Sequence, residues 1–285
     1  MGTKKQQKPR SKGVSAALVI VGCAVVGFAF FYLWCGLGHP EGVGITDSTH
    51  PLSHFNELGR PLMGDKFGTL YEGGFVIPIV ITLLLTVFAL SIERFFAIGR
   101  ADGKGNTANF ILEAKTKLDS GDIAGASKLC DAQKGSVANI LKAGLLRYED
   151  VLKLNVSNAE KSTMIQDEID EATTLELPYL QQNLPVIATI SSLGTLFGLL
   201  GTVLGMIKSF GAMGQEGAPD STALAVGISE ALMNTALGIA TGACAIISYA
   251  YFSGRVEDIT NAVNEVGFAI GQTYTKNHGG LGKQA

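Results

Sequence analysis

Four long runs of apolar residues constrain the fold of this chain more than any other feature. They extend over Val14–Leu33, Gly73–Ile92, Leu184–Ile207 and Ala223–Phe252, and the only acidic or basic residue in them is Glu230. About 20 apolar residues are enough for a helix to cross the hydrocarbon core of a bilayer. Charged residues make up only 16% of the 285 positions, against about 25% in ordinary soluble proteins. The sequence therefore predicts an all-α, polytopic membrane protein with four transmembrane helices, and excludes a disordered chain or a purely soluble enzyme.

The first run has some features of a signal peptide, because basic residues precede it. Its apolar stretch is about 20 residues long, against roughly 7–15 for a signal peptide, and no A-x-A-like cleavage site follows. We interpret it as an uncleaved anchor, with cleavage as the alternative. The basic residues before it are Lys4, Lys5, Lys8, Arg10 and Lys12.

Basic residues near the span ends predict the orientation, because lysine and arginine are retained on the cytoplasmic side. Arg94, Arg100 and Lys104 follow the second span, and Arg255 follows the fourth. Residues 38–72 contain only two lysine or arginine residues, Arg60 and Lys66, and are therefore expected on the outer side of the membrane. Both termini and the segment between the second and third spans are therefore expected in the cytoplasm. The net charge of −3 gives no indication of nucleic-acid binding.

The cytoplasmic segment is predicted to be helical, because its apolar residues recur at helical spacing. Asp119–Asp122 predicts a turn followed by a helix N-cap. A further helix is predicted over Ser162–Leu177 and is expected to continue into the third span, with Pro178 and Pro185 as kinks or breaks. The two predicted buried faces are Phe110, Ile111, Ala114 and Leu118, and Ile140, Leu141, Gly144 and Leu145.

Two groups of residues have metal-binding side chains at weak spacing. The acidic helix carries Asp167, Glu168, Asp170, Glu171 and Glu176, and the outside segment carries His39, His50 and His54. We favour a solvated helix face for the carboxylates, since no histidine or cysteine accompanies them, and an ordinary surface loop for the histidines. Cys23, Cys35, Cys130 and Cys244 form no CxxC pair and are interpreted as small apolar fillers. Because no catalytic motif is present either, we expect no enzyme activity, no cofactor and no metal.

Small and hydroxyl residues form one stripe along the third span. Ser191, Thr195, Gly198, Thr202 and Gly205 recur at intervals of 4, 3, 4 and 3 residues, which places them on one helix face. Small residues four apart let helix backbones approach closely in a membrane. A packing seam alone would explain most of this stripe. The glycines expected to serve helix packing are Gly194, Gly198, Gly201, Gly205, Gly238 and Gly242.

The fourth span has polar residues that packing does not need. Glu230, Asn234, Thr241 and Ser248 recur at intervals of 4, 7 and 7, with Thr235 beside Asn234. An ionisable group at a helix centre costs about 2.5–3.5 kcal/mol on insertion scales, so it usually faces protein or a water-filled cavity. Glu230 is therefore either a structural residue bonded to neighbouring helices or one station on an ion path. Since no second carboxylate occurs in the spans, another subunit would have to supply it.

The third and fourth spans together resemble the paired signature of the MotA/TolQ/ExbB proton-channel family, and its ExbB/TolQ branch most closely. The residues that carry the resemblance are Gly198-Leu-Leu-Gly-Thr-Val-Leu-Gly-Met-Ile207 and Gly227-Ile-Ser-Glu-Ala-Leu-Met-Asn-Thr-Ala-Leu-Gly-Ile239. It extends over about Gly73 to Gln272. The first span is extra relative to the three-span core usual in that family. Two further positions differ from the family pattern, because Thr195 and Cys244 stand where prolines are common.

The resemblance implies a bacterial inner-membrane motor subunit that assembles as a homo-oligomer, expected to be a pentamer. The ring would enclose the single spans of an ExbD- or TolR-like partner, whose membrane aspartate would be the missing carboxylate. The family's pore threonines fall on Thr202 and Thr235, and its fourth-span glutamate falls on Glu230. Thr195 and Asn234 are added to the expected proton path. The proton motive force would then do work on a TonB-like protein.

This interpretation divides the chain into segments with distinct roles. Two alternatives stay open, namely a non-conducting scaffold held by small-residue packing and a flagellar-type stator relative. The segments are a basic cytoplasmic N-terminus (1–13), the extra transmembrane helix (14–37), a periplasmic segment (38–72), a transmembrane helix (73–93), a cytoplasmic helical domain (94–183), two transmembrane pore helices (184–210 and 223–252) joined by a short periplasmic turn (211–222), and a cytoplasmic C-terminal helix and tail (253–285).

Overall fold

The computed structural model describes residues 15–37, 39, 53–55, 62, 65–215 and 221–278. His50, Arg60 and the basic N-terminal residues lie outside this part of the chain. Helices dominate the described residues, and four of them are long and apolar enough to cross a membrane. The prediction of an all-α protein with four candidate spans is therefore confirmed.

The chain divides into two compact units. Of the described residues, those up to Glu93 and from Asn183 to Ala250 form the membrane unit, and those from Arg94 to Gln182 and from Tyr251 onwards form the polar unit. The long helices α3 and α9 contribute to both units. In chain order the helices are α1 (Ala16–Ala29, continued by a π-helical segment, Phe30–Cys35), α2 (Lys66–Glu72), α3 (Val76–Asp102), α4 (Thr107–Asp119), α5 (Ile123–Gln133), α6 (Ser136–Val151), α7 (Asn158–Gln181), α8 (Leu184–Gln215) and α9 (Ser221–His278).

The N-termini of α4, α5 and α7 in the polar unit are capped by the side chain of the N-cap residue. Asn106 accepts from the backbone N–H of Ala108 at the start of α4. Asp122 does the same for Gly125 at the start of α5, so the turn and N-cap predicted at Asp119–Asp122 are confirmed. Such a side-chain oxygen satisfies one of the N–H groups that a helix start leaves without a partner.

The core of the polar unit forms where α6 meets α7 and the distal part of α9. Leu141 and Leu145 are buried on α6, as the helical spacing predicts. Gly144 lies between them, and a Cβ added to it would be 2.9 Å from side-chain atoms of both Ile169 on α7 and Ile270 on α9. The predicted faces of α4 and α6 are both buried, so the helical periodicity identified the core side of each helix.

Helix α7 begins four residues before the predicted start at Ser162 and ends before the third span. It begins at Asn158, after a capping box at Ser157, and ends at Gln181 with Pro178 inside it. The fully buried Arg94 donates to the carbonyl oxygens of Tyr179 and Leu180 at 3.0 and 3.4 Å. These bonds satisfy carbonyls that a helix end leaves without partners.

The start of α8 is held within the membrane unit. Asn183 has a positive φ of 65°, which ends the preceding helical path two residues after Gln181. Its side-chain amide donates to Glu93 Oε2 at 3.2 Å. Asparagine tolerates this left-handed conformation better than most residues. The expected continuation of the acidic helix into the third span is therefore interrupted at residues 182 and 183.

The extra helix α1 packs through a single small residue. Gly27 is the only residue of α1 that is buried, and a Cβ there would be 2.8 Å from the Thr82 hydroxyl oxygen on α3. In the π-helical continuation, Phe31 is buried and stacks on Tyr71 with ring centroids 5.1 Å apart. Most of the remaining apolar surface of α1 stays exposed, as expected of a peripheral helix surrounded by lipid.

Candidate functional site

Helices α8 and α9 approach each other closely at three glycines, Gly194, Gly198 and Gly238. A Cβ added to Gly238 would be 2.6 Å from both Gly198 Cα and the Gly194 carbonyl oxygen. Because both neighbours are backbone atoms, a side chain would fit only if the helices separated. Without a hydrophobic force between helices in lipid, such backbone approach supplies much of the packing attraction.

The other three predicted packing glycines lie on the same α8–α9 face. A Cβ on Gly201 would be 2.5 Å from Asn234 Cβ, and one on Gly205 would be 3.1 Å from Ala231 Cβ. A Cβ on Gly242 would be 2.8 Å from the Thr195 hydroxyl oxygen. This glycine-lined face fixes which polar residues of the two helices meet.

The structure brings together Thr202 and Thr235, the two threonines singled out in the sequence. Their hydroxyl oxygens are hydrogen-bonded to each other, and each hydroxyl also lies 3.2 Å from the Gly198 carbonyl oxygen. Thr202 is in addition 3.4 Å from the carbonyl oxygen of Ala231. Both side chains are half-buried. A hydroxyl both donates and accepts a hydrogen bond, so the pair can bind a water molecule or a carboxyl group.

Thr195 and Thr241 have local hydrogen bonds instead. Thr195 is exposed and donates to the Ser191 carbonyl oxygen at 3.4 Å, and Thr241 is fully buried and donates to that of Leu237 at 2.9 Å. Bonding to the carbonyl one turn earlier is the usual way in which a helix satisfies a threonine hydroxyl. The hydroxyl residues singled out in the third and fourth spans therefore comprise one inter-helical pair and others that are satisfied within their own helix.

Asn234 is 1% exposed and contacts a different part of the membrane unit. Its amide nitrogen donates to the carbonyl oxygen of Gly73, which precedes α3, at 3.0 Å. Its Oδ1 atom is buried and has no hydrogen-bond partner. A buried polar atom without a partner is costly. The sequence placed Asn234 with Thr235 on the proton path, and the structure turns its amide towards Gly73.

Glu230 is buried, and its carboxylate accepts a hydrogen bond from Lys208 Nζ at 3.1 Å. Lys208 is the partner of Glu230 that sequence reasoning missed. It comes directly after the uncharged run of the third span, and Glu230 is the only carboxylate of the apolar runs. Pairing these two charges across the turn would have identified the contact.

Within the described part of the chain, no group of three or more His, Cys, Asp or Glu side chains is placed to hold a metal ion. Glu176 accepts from Ser136 and Asn139 at 2.9 and 3.2 Å, and His54 Nδ1 lies 2.6 Å from Asp65 Oδ2. The four cysteines are free, and burial raises the pKa of Cys130 to about 12.

These observations define a multi-pass helical membrane protein with a hydroxyl pair and a charge pair between its last two spans. A sequence model of the MotA/TolQ/ExbB proton channel family matches residues 132–265. Similar proteins include TolQ, a Tol-Pal system protein of Haemophilus influenzae, at 30% identity over 207 residues, which cover 67% of this chain and 85% of that protein. The chain belongs to the MotA/TolQ/ExbB proton channel family.

Two further relatives carry transport names. A putative biopolymer transport protein, an ExbB homologue of Methanothermobacter thermautotrophicus, is 24% identical over 196 residues, which cover 67% of this chain and 66% of that protein. The biopolymer transport protein ExbB of Aquifex aeolicus is 30% identical over 118 residues, or 41% of this chain and 72% of that protein. The matched region thus covers about two thirds of the length of the first of these relatives.

Proposed function

We propose that this chain is the ring-forming subunit of an inner-membrane motor driven by the proton motive force. The observation that carries the proposal is the pair of hydroxyls, Thr202 and Thr235, which two spans bring together in a chain of a proton-channel family. The subunit performs no covalent chemistry. Its hydroxyls hydrogen-bond the water or the carboxyl group through which protons pass.

The complete path needs a second carboxylate besides Glu230, and these spans do not supply it. In the proposed assembly, about five copies form a ring around the single spans of an ExbD- or TolR-like partner. That partner contributes a membrane aspartate opposite the threonine pair. Protons move from the periplasm to the cytoplasm, and the resulting motion acts on a TonB-like protein or on the cell envelope. Relatives named for biopolymer transport and for the Tol-Pal system support both uses.

The test is the double variant Thr202→Val and Thr235→Val, in the complex purified from its own membranes and reconstituted into vesicles. Valine keeps the shape of threonine and removes the hydroxyl, so proton flux should fall to the background of empty vesicles. A pH-sensitive dye inside the vesicles reports the flux, and native mass spectrometry reports whether the ring is intact.

The matched control is Thr189→Val on α8. Thr189 is exposed, and the one hydrogen bond described for its hydroxyl is donated to the carbonyl oxygen of Pro185 at 2.8 Å. Loss of this hydroxyl should therefore leave the proton flux unchanged. Normal flux through the double variant would refute the threonine path. An intact wild-type complex that conducts no protons would instead favour a scaffold held by its glycine face.

A further inference from the structure

Lys208 and Glu230 form the one described ion pair between α8 and α9. Glu230 is 7% exposed, whereas the Lys208 side chain is 72% exposed and reaches the carboxylate with its terminal Nζ. A long lysine side chain can lie along apolar surface and still carry its charge to the rim. A buried carboxylate is stable only with such a partner, because desolvation of an isolated charge costs several kcal/mol.

The close contact of α8 with α9 beside this pair explains its geometry. Ser209, next to Lys208, is buried and donates to the Gly205 carbonyl oxygen at 2.9 Å. Its hydroxyl lies where a side chain of Gly227 would be, three residues before Glu230. Because Gly227 has no side chain, the helices approach closely there, and Lys208 comes within reach of the carboxylate.

Among the described side chains of the membrane unit, Lys208 is the one lysine or arginine. The charge of Glu230 is therefore balanced, within this part of the chain, by Lys208.

The charge pair lies between the hydroxyl pair and the turn that joins the two helices. At a rise of about 1.5 Å per residue, Lys208 is about 9 Å beyond Thr202 along α8, and Glu230 is about 7.5 Å before Thr235 along α9. In the proposed orientation, that turn faces the periplasm. A proton moving inwards would thus meet Glu230 before it reaches the threonines.

We infer that Lys208 is a positioning residue for the proton path: its ammonium group holds the Glu230 carboxylate at the periplasmic mouth. This inference rests on the proposed function. A charge-assisted hydrogen bond fixes the orientation of the carboxylate more firmly than a neutral one.

The test measures proton flux through reconstituted complexes with Lys208→Met, Glu230→Gln and both changes together. Lys208→Met should lower the flux about tenfold, the factor expected for one lost hydrogen bond to a charged group. Lys208→Arg should retain most of the flux. In the Glu230→Gln background, Lys208→Met should have no further effect, because no charge is left to position.

The control is Lys153→Met, which removes an exposed lysine from an ion pair with Asp150 in the polar unit. It should leave the flux unchanged. Ring mass and melting temperature are measured for every variant, since a purely structural lysine would alter these without altering flux per ring. If Lys208→Met does not assemble, Lys208→Gln is measured in its place.

Two results would overturn the inference. One is wild-type flux in Lys208→Met, and the other is an equal fall caused by Lys208→Met with and without Glu230→Gln. If either appears while flux still depends on Thr202 and Thr235, the proposed function stands and only the role of Lys208 fails. If the wild-type ring conducts no protons at all, the proposed function fails first.

Discussion

The contact of α6 with α7 in the polar unit and the contact of α8 with α9 in the membrane unit are packed by different kinds of side chain. In the polar unit, Leu141, Leu145 and Ile165 are buried. In the membrane unit, glycines fill the α8–α9 contact, whereas Leu199 and Val203 of the same helix are more than half exposed. Water drives large apolar side chains inwards, but lipid is as apolar as leucine and provides no such force. Large apolar side chains are therefore buried where α6 meets α7, whereas Leu199 and Val203 lie outside the glycine-lined contact of α8 with α9.

The largest expected effect is on the core of the polar unit. Leu141→Ala should lower the free energy of unfolding of that unit by about 2–5 kcal/mol, because it leaves a cavity among α6 and its neighbours. Hydrogen exchange of the α6 and α7 amides in the full-length protein measures the change. Leu146→Ala on the same helix, where the leucine is 51% exposed, should have little effect. Equal losses from both changes would contradict a water-driven core.

A smaller loss is expected from Gly238→Ala in the membrane unit. Its new methyl group meets backbone atoms of α8, which cannot rotate away, so a cost of about 1–3 kcal/mol is expected. The melting temperature in mild detergent measures it. Gly144→Ala should cost less, because its neighbours are side-chain atoms of Ile169 and Ile270. Gly211→Ala, with nothing within 4 Å, should be neutral or slightly stabilising, and a loss there as large as at Gly238 would exclude the backbone explanation.

The smallest expected effect on stability comes from a surface charge of the polar unit, that of Asp122. The Asp122 carboxylate accepts from the Gly125 N–H and lies 3.5 Å from Lys117 Nζ, and these contacts hold its pKa below the usual range. A carboxylate with a lowered folded pKa stabilises the fold above its unfolded pKa of about 3.9, and this contribution is lost as the pH falls through the folded value.

Asp122→Asn keeps the cap and removes the charge. The wild-type polar unit should therefore be slightly more stable than the variant at pH 7, and the difference should disappear in acid. Hydrogen exchange of the α5 amides at both pH values provides the measurement. A difference that stays constant down to pH 3 would mean that the charge of Asp122 does not contribute.

Much of the fold could be predicted because membrane spans and amphipathic helices have simple periodic signals. The four spans, the buried faces of α4 and α6, and the N-cap at Asp122 all follow from local sequence. The two ends of α7 were predicted less accurately than these features. Its C-terminal end depends on Arg94, which is 85 residues away from Tyr179 in sequence and satisfies the carbonyls there.

For the candidate site, the sequence by itself determined which residues are chemically unusual: a threonine in each of two spans, one membrane glutamate, and small residues at helical spacing. Only the tertiary structure decided their partners. Thr202 meets Thr235, Asn234 turns to Gly73, and Glu230 pairs with Lys208. The physical reason is that periodicity fixes the face of a residue on its own helix, whereas the register between two helices depends on which backbone positions lack side chains. Gly198, Gly227 and Gly238 set that register here.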